Sequence, residues 1–166
     1  YIHNEIGYNY RMTNLQAALG VAQMEELEEF IRRKRENYTL YEKQFDGFAY
    51  GTLLGFRPDT RSNQWFYSLQ LPTGDDRRGR IVLRDLITAL DKEGIQTRPI
   101  WGLIHEQKPY QGFRAYRMEQ APMYGSCILN IPCSTQITEE EIIRASEVIR
   151  QTVTRFMESD RTAEEK

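Results

Sequence analysis

From Thr13 to Phe45 the apolar residues Leu15, Ala18, Leu19, Ala22, Leu27, Phe30, Ile31, Tyr38, Tyr41 and Phe45 return at steps of three and four, with glutamates and arginines between them. That period marks one face of a helix. It predicts a single amphipathic helix of roughly 30 residues, about 50 Å long at 1.5 Å per residue. So long a helix exceeds what a compact domain of this size needs, and is expected to bridge two domains. Asp46-Gly47 ends it, and the stretch to Gln64, with Gly51, Gly55, Pro58, Asp59 and Asn63, reads as turn and irregular chain. At Trp65–Leu71 the composition becomes β-like, with alternation from Tyr67 onward, and Pro72-Thr73-Gly74 closes a half-buried strand. Ile81, Val82, Leu83, Leu86, Ile87 and Leu90 then restore helical spacing over Arg80–Glu93, with Gly94 as the natural C′ residue. Ile95–Trp101 is a second strand, 110–124 a loop with a short helix, and Cys127–Ile131 a third strand. Thr138, with Glu141 three residues on, has the capping-box form and opens a last helix reaching about Met157. The order predicts an α+β fold in which covering helices pack on a three-stranded sheet. The division is a turn and bridging helix at 1–45, an α+β domain at 46–157, and a polar tail at 158–166 expected to be disordered.

Composition narrows the partners. The chain has 166 residues, enough to bury roughly 70% of its unfolded surface without staples. Its 22 basic and 24 acidic residues give a net charge of −2, so no global field draws it to nucleic acid or an anionic membrane. Arg32-Arg33-Lys34-Arg35 is locally basic, but Glu28 and Glu29 precede Arg32 and Arg33 by the four residues of helix-surface ion pairs, which reads as a solvated face. Cys127 and Cys133 flank a strand that holds them ~20 Å apart when extended, so they are read as reduced thiols of a cytoplasmic protein. His3 and His105 are the only imidazoles and form no zinc constellation, so no metal is expected. No apolar run has the length of a membrane span, and no signal-peptide pattern opens the chain.

The candidate chemistry begins at Gly7-Tyr8-Asn9-Tyr10-Arg11-Met12-Thr13-Asn14-Leu15-Gln16. Thr13 and Gln16 have the capping-box form, which starts a helix at Thr13. Free amides and the positive end of the helix dipole then face an amide and a guanidinium, the arrangement that holds phosphates at helix N-termini. An ordinary capped helix carrying a surface arginine accounts for the same residues. In the turn before the last helix, Cys133 has no base or cationic partner nearby in sequence, so nothing local equips it as a nucleophile.

The run from His3 to Gly20 resembles the DegT/DnrJ/StrS family of sugar aminotransferases, fold-type-I enzymes that use pyridoxal phosphate (PLP). Arg98-Pro99-Ile100-Trp101 with His105 and Tyr110, and Leu129-Asn130-Ile131-Pro132-Cys133-Ser134-Thr135 leading into Thr138-Glu139-Glu140-Glu141, continue the likeness, so residues 3–157 are covered. The nearest branch is that acting on UDP-linked 4-keto sugars of nonulosonic acid pathways. The resemblance implies the small C-terminal domain of such an enzyme, working as a homodimer on a nucleotide-sugar substrate and an amino-acid donor such as glutamate. It implies that Asn9 reaches the cofactor phosphate of the neighbouring subunit, with Tyr10 and Arg11 beside the cofactor and nucleotide sugar. It also implies that His105 hydrogen-bonds the hexose while Trp101 stacks on it; a core Trp101 and an exposed loop His105 are the plainer alternatives.

One departure stands out. The five lysines, Lys34, Lys43, Lys92, Lys108 and Lys166, lie outside the family's Schiff-base motif, and the chain starts at Tyr1, which together read as the C-terminal part of a longer protein without a catalytic residue of its own. A non-catalytic dimerisation module and a PLP-binding regulator of the same fold are the competing readings.

Overall fold

Thr13 caps the first helix as its spacing requires: its N–H donates to Gln16 Oε1 at 2.8 Å, and Gln16 N–H donates back to Thr13 Oγ1 at 3.3 Å. The computed structural model describes residues 2–72 and 76–164, with side chains described outside 76–82 and 159–164. The expected turn at Thr73-Gly74, the apolar side chains of Ile81 and Val82, and the terminal Tyr1 and Lys166 therefore lie outside the described residues.

The single long helix of the sequence pattern is two helices, α1 (Asn14–Glu25) and α2 (Leu27–Phe45), separated at Glu26, whose φ and ψ of −98° and 0° leave the helical range. The apolar stripe Leu15-Leu19-Ala22 meets Glu26 at its next step. Glu25, Glu26, Glu28 and Glu29 then crowd a point where negative charge opposes a helix C-terminus and favours a new N-terminus. Asp46 caps α2, and Gly47 follows with φ +64°, a left-handed turn open to glycine at little cost.

The sheet has four strands rather than three. β1 (Thr52–Leu53), within the stretch expected to be irregular, pairs with β2 (Tyr67–Gln70). α3 (Asp76–Lys92) crosses over to β3 (Arg98–Pro99), and α4 (Gln120–Cys127) leads into β4 (Ile128–Ile131), which lies between β2 and β3 in the order β1-β2-β4-β3. Because β4 is antiparallel to both neighbours, β2 and β3 run parallel to each other. The second strand is shorter than its Ile95–Trp101 pattern. Pro99 offers no N–H to a further neighbour, which confines it to a sheet edge. Cys127 ends α4 instead of opening β4. Between β3 and α4 lie two 3₁₀ turns, Ile104–Glu106 and Lys108–Tyr110.

Thr138 caps α5 (Glu139–Glu164) through Glu141, with bonds of 2.9 and 3.2 Å. The backbone of 158–164 continues that helix where the composition predicted a tail, since each added turn satisfies its own hydrogen bonds once nucleation is complete. Gly94 ends α3 at φ +74°, and Ile95 N–H returns to Leu90 O at 2.9 Å.

Alternation in β2 buries Tyr67 and Leu69 and leaves Ser68 and Gln70 half-buried, as period two demands. With Leu86, Leu90, Leu129, Ile142, Ile149 and Val153 they form the core, each at 0% exposure. Such side chains contribute about 1.5–3 kcal/mol apiece. α2 seats on this sheet through aromatic rings: Tyr41 and Tyr38 lie 5.6 and 5.7 Å from Tyr67, and Phe56 meets Tyr38 edge-on at 4.9 Å.

Tyr41 Oη is buried there without a hydrogen-bond partner, and burial pushes its phenol well above the ordinary range, as it does for Tyr67, while Tyr38 rises to about 12. A phenol raised in this way stabilises the fold fully below its unfolded pKa near 10 and loses that contribution as pH climbs through the folded value. Tyr41→Phe removes an orphaned hydroxyl worth about 1–3 kcal/mol. Urea denaturation near neutral pH is expected to show a gain of up to that size. Between pH 10 and about 12 the variant should lose stability less steeply than the parent chain.

Candidate functional site

Residues 2–16 and most of α1 are exposed, and α1 buries none of its side chains. At Arg11 the backbone turns left-handed, with φ +71°, a conformation that costs a non-glycine residue about 1–2 kcal/mol. An Asx-type bond offsets it: Arg11 N–H donates to Asn9 Oδ1 at 2.9 Å. With its oxygen so engaged, the Asn9 amide presents its NH₂ as donor. The capping box is satisfied, and the amides of Asn14 and Leu15 have no carbonyl one turn behind them. Asn9, Tyr10 and Arg11 thus stand directly before the helix start, and the sequence from Ile6 to Met24 contains no acid. This donor set fits a phosphate group. It does not supply a Schiff base: Lys34 is committed to carbonyl oxygens, while Lys43, Lys92 and Lys108 are exposed; Lys166 lies outside the described residues.

The second cluster follows β3. Trp101 and His105 line one groove of about 470 Å³ together with Tyr110, Phe113, Arg114 and Tyr116. Trp101 is 45% exposed, so it is not a core residue, and its ring meets Phe66 edge-on at 5.2 Å. His105 sits in the first 3₁₀ turn, half-buried, with Nδ1 buried and unpartnered. Gln107, buried between the two turns, connects this loop to the N-terminal arm: Oε1 accepts from His3 N–H at 2.6 Å, and Nε2 donates to Gly102 O at 3.1 Å. No sequence signal joined His3 to Gln107, because the bond spans 104 residues.

Two further residues escaped sequence reasoning. Trp65, beside β2, is 61% exposed and lies 4.6 Å from Phe66 and 5.8 Å from Trp101. Lys34, read as part of a solvated face, is half-buried. Its Nζ donates to Trp65 O at 2.7 Å and Cys133 O at 2.5 Å and lies 5.3 Å above the Tyr67 ring. Burial pushes its pKa down, opposed by Cys133. Its signal was available, since Lys34 falls on the stripe Leu27-Ile31-Lys34-Tyr38-Tyr41-Phe45 at the position where an apolar residue is expected.

Arg32 and Arg33 do behave as a solvated face. Both pair with Glu29, at 2.7 and 2.8 Å, and their hydrogen bonds hold that carboxyl down at about 2. Glu28 turns to Arg61 instead of Arg32. Cys127 and Cys133 are both free thiols. Among the described residues no helix is long and apolar enough to cross a membrane, and no group of three or more acidic, His or Cys side chains is placed to hold a metal.

The model of the DegT/DnrJ/EryC1/StrS aminotransferase family matches residues 1–150. Among curated proteins the chain is 32% identical over 161 residues to the putative pyridoxal phosphate-dependent aminotransferase EpsN of Bacillus subtilis, covering 90% of this chain and 38% of that protein. It is 30% identical over 151 residues to GDP-perosamine synthase of Escherichia coli O157:H7, covering 91% and 39%. The chain therefore spans about two-fifths of the length of these relatives. Among solved structures, the putative sugar aminotransferase Spr1654 of Streptococcus pneumoniae in its apo form superposes with a TM-score of 0.79 at 18% identity, covering 90% of this chain and 37% of that one. Helicobacter pylori PseC, an aminotransferase of pseudoaminic acid biosynthesis, superposes with a TM-score of 0.74 at 20% identity, covering 91% and 40%. These likenesses extend the α+β assignment to the sugar-aminotransferase fold, and the chain belongs to the DegT/DnrJ/EryC1/StrS aminotransferase family.

Proposed function

We propose that this chain is the C-terminal part of a PLP-dependent nucleotide-sugar aminotransferase, which moves an amino group from an amino-acid donor, glutamate being the simplest, to a keto sugar. The observation that carries the reading is the family match over residues 1–150, whose N-terminal part contains Asn9–Arg11 with its amide and guanidinium donors. PLP, when bound, supplies the electron sink for transamination. This chain's own contribution is to hold and orient. Asn9 donates to the phosphate, across a homodimer interface built from the arm and α1. Arg11, whose fork suits phosphate bidentately, serves the nucleotide sugar, with Tyr10 beside it. In the groove, Trp101 stacks on the hexose and His105 hydrogen-bonds it. A nucleotide sugar is the substrate class shared by relatives named for GDP-perosamine and for a UDP-linked amino sugar, and a UDP-4-keto sugar is our preferred member. Free thiols at Cys127 and Cys133 accord with a cytoplasmic enzyme.

By itself the chain is expected to be inactive. Incubated with PLP and reduced with borohydride, it should show only scattered low labelling of surface amines. A stoichiometric adduct on one lysine would refute this. In the complete enzyme, one hydrogen bond to a charged group contributes roughly 1.5–3 kcal/mol. Asn9→Ala should then weaken PLP retention by about 10- to 150-fold with the fold intact. Mixing that variant with a chain lacking the cofactor lysine gives heterodimers in which one site loses both groups and the other keeps both. Recovered activity supports the shared site; none, with heterodimers demonstrated, overturns it.

A further inference from the structure

Trp65 is an exposed aromatic residue whose backbone is unusually constrained. Its N–H donates to Asn63 Oδ1 at 3.2 Å, and its carbonyl accepts from the Lys34 ammonium at 2.7 Å. The preceding residue, Gln64, is held left-handed at φ +52°. Its N–H donates to Ser62 Oγ at 3.0 Å, and its Oε1 is buried without a partner. A strained backbone beside an orphaned polar atom persists only where surrounding bonds over-determine it, and such strain collects at ligand sites. Here the over-determining bond is Lys34, rooted in α2 and shared with Cys133 at the end of β4.

The result is an aromatic corner. Trp65 and Trp101 meet with centroids 5.8 Å apart and planes inclined at 52°, and Phe66 packs on both at 4.6 and 5.2 Å. Both indoles keep exposed surface, 61% and 45%. Trp101 opens onto the groove that carries Arg114, and Gln107 ties the loop of that groove to the arm bearing Asn9 and Arg11. A guanidinium, that of Arg114, thus lines the same groove as the Trp101 ring. A guanidinium beside an exposed indole suits a ligand with an anionic group next to a ring whose C–H face is apolar.

We propose that Trp65, paired with Trp101, forms the platform on which the hexose ring of the nucleotide sugar lies, and that Lys34 is the positioning residue that sets Trp65 in place. This rests on the nucleotide-sugar reading above. The negative faces of the indoles attract the C–H edges of a pyranose, and a tilted pair discriminates sugars by ring shape. Lys34 reaches the platform through the Trp65 carbonyl.

The two tryptophans of the chain are both in this corner, so its selectively excited indole fluorescence and its indole exciton bands report on the platform. An excitonic couplet between the indoles is expected. Trp65→Phe and Trp101→Phe should abolish it, Lys34→Met should weaken it, and Lys34→Arg should restore part. A full couplet in Lys34→Met overturns the positioning role.

For binding, the complete enzyme is titrated with UDP-N-acetylglucosamine, GDP-mannose, UDP alone and free N-acetylglucosamine. A saturable fluorescence change is expected with a nucleotide sugar. Trp65→Leu should raise its Kd, and the KM of any nucleotide sugar turned over, by about 5- to 10-fold with kcat and PLP content unchanged. Trp65→Phe should stay within about threefold of the parent. If a nucleotide sugar binds and Trp65→Leu binds it equally well, or if UDP alone produces the whole change, this inference fails while the nucleotide-sugar reading stands. If no nucleotide sugar binds or is aminated, that reading falls and takes this one with it.

Discussion

The Lys34 ammonium, carried inward on the buried stripe of α2 and held between the carbonyls of Trp65 and Cys133, joins three parts of the fold. Burying a cation is costly unless its donors are used, and here the donors go to backbone oxygens and to the face of Tyr67 rather than to a carboxylate. Tyr67 closes the arrangement by donating its hydroxyl to Lys34 O at 2.7 Å. α2, the start of β2 and the end of β4 are therefore fixed by one group of bonds. Asn37 adds to it through its side-chain donation to Ser134 O. Shift α2 along its axis and the cation, two carbonyls and a phenol all lose partners together.

From that fixed seam the molecule divides in two. On one side α2, α3 and α5 pack with the four strands into a core whose central residues have no exposure, and Ser68 and Asn130 bond across β2 and β4 at 2.7 Å. On the other side the arm and α1 bury nothing, although Ile6, Tyr8, Leu15, Leu19, Val21 and Met24 are all large and apolar. α1 is apolar on more than one face, whereas a surface helix normally keeps one face polar. Its sequence is suited to being enclosed. The core and the unburied arm with α1 are thus different segments, joined by α2.

Much of this was legible from residue order. Both capping boxes, the turns at Gly47 and Gly94, the alternation of β2 and the buried positions Leu83, Leu86 and Leu90 depend on spacing within a few residues, which local geometry converts directly into structure. The family likeness was legible for the same reason, because its motifs are contiguous. β1 was missed because two residues carry no period. The break at Glu26 was missed because three- and four-residue steps resume at once from Leu27, one residue out of phase with the stripe Leu15-Leu19-Ala22, and step length alone does not register that shift.

The site divides along the same line. Sequence alone determined which residue types stand at Asn9, Tyr10, Arg11, Trp101 and His105, and that donors precede a helix start. Only the tertiary structure decided that Trp101 is half exposed and shares a groove with His105, that Gln107 anchors the arm through His3, and that Lys34 points inward. Hydrogen bonds spanning 31, 99 and 104 residues leave no trace in local spacing. Whether a charged side chain on an apolar stripe faces water or backbone carbonyls depends on what the rest of the chain brings opposite it, and that is settled only when the sheet closes against α2.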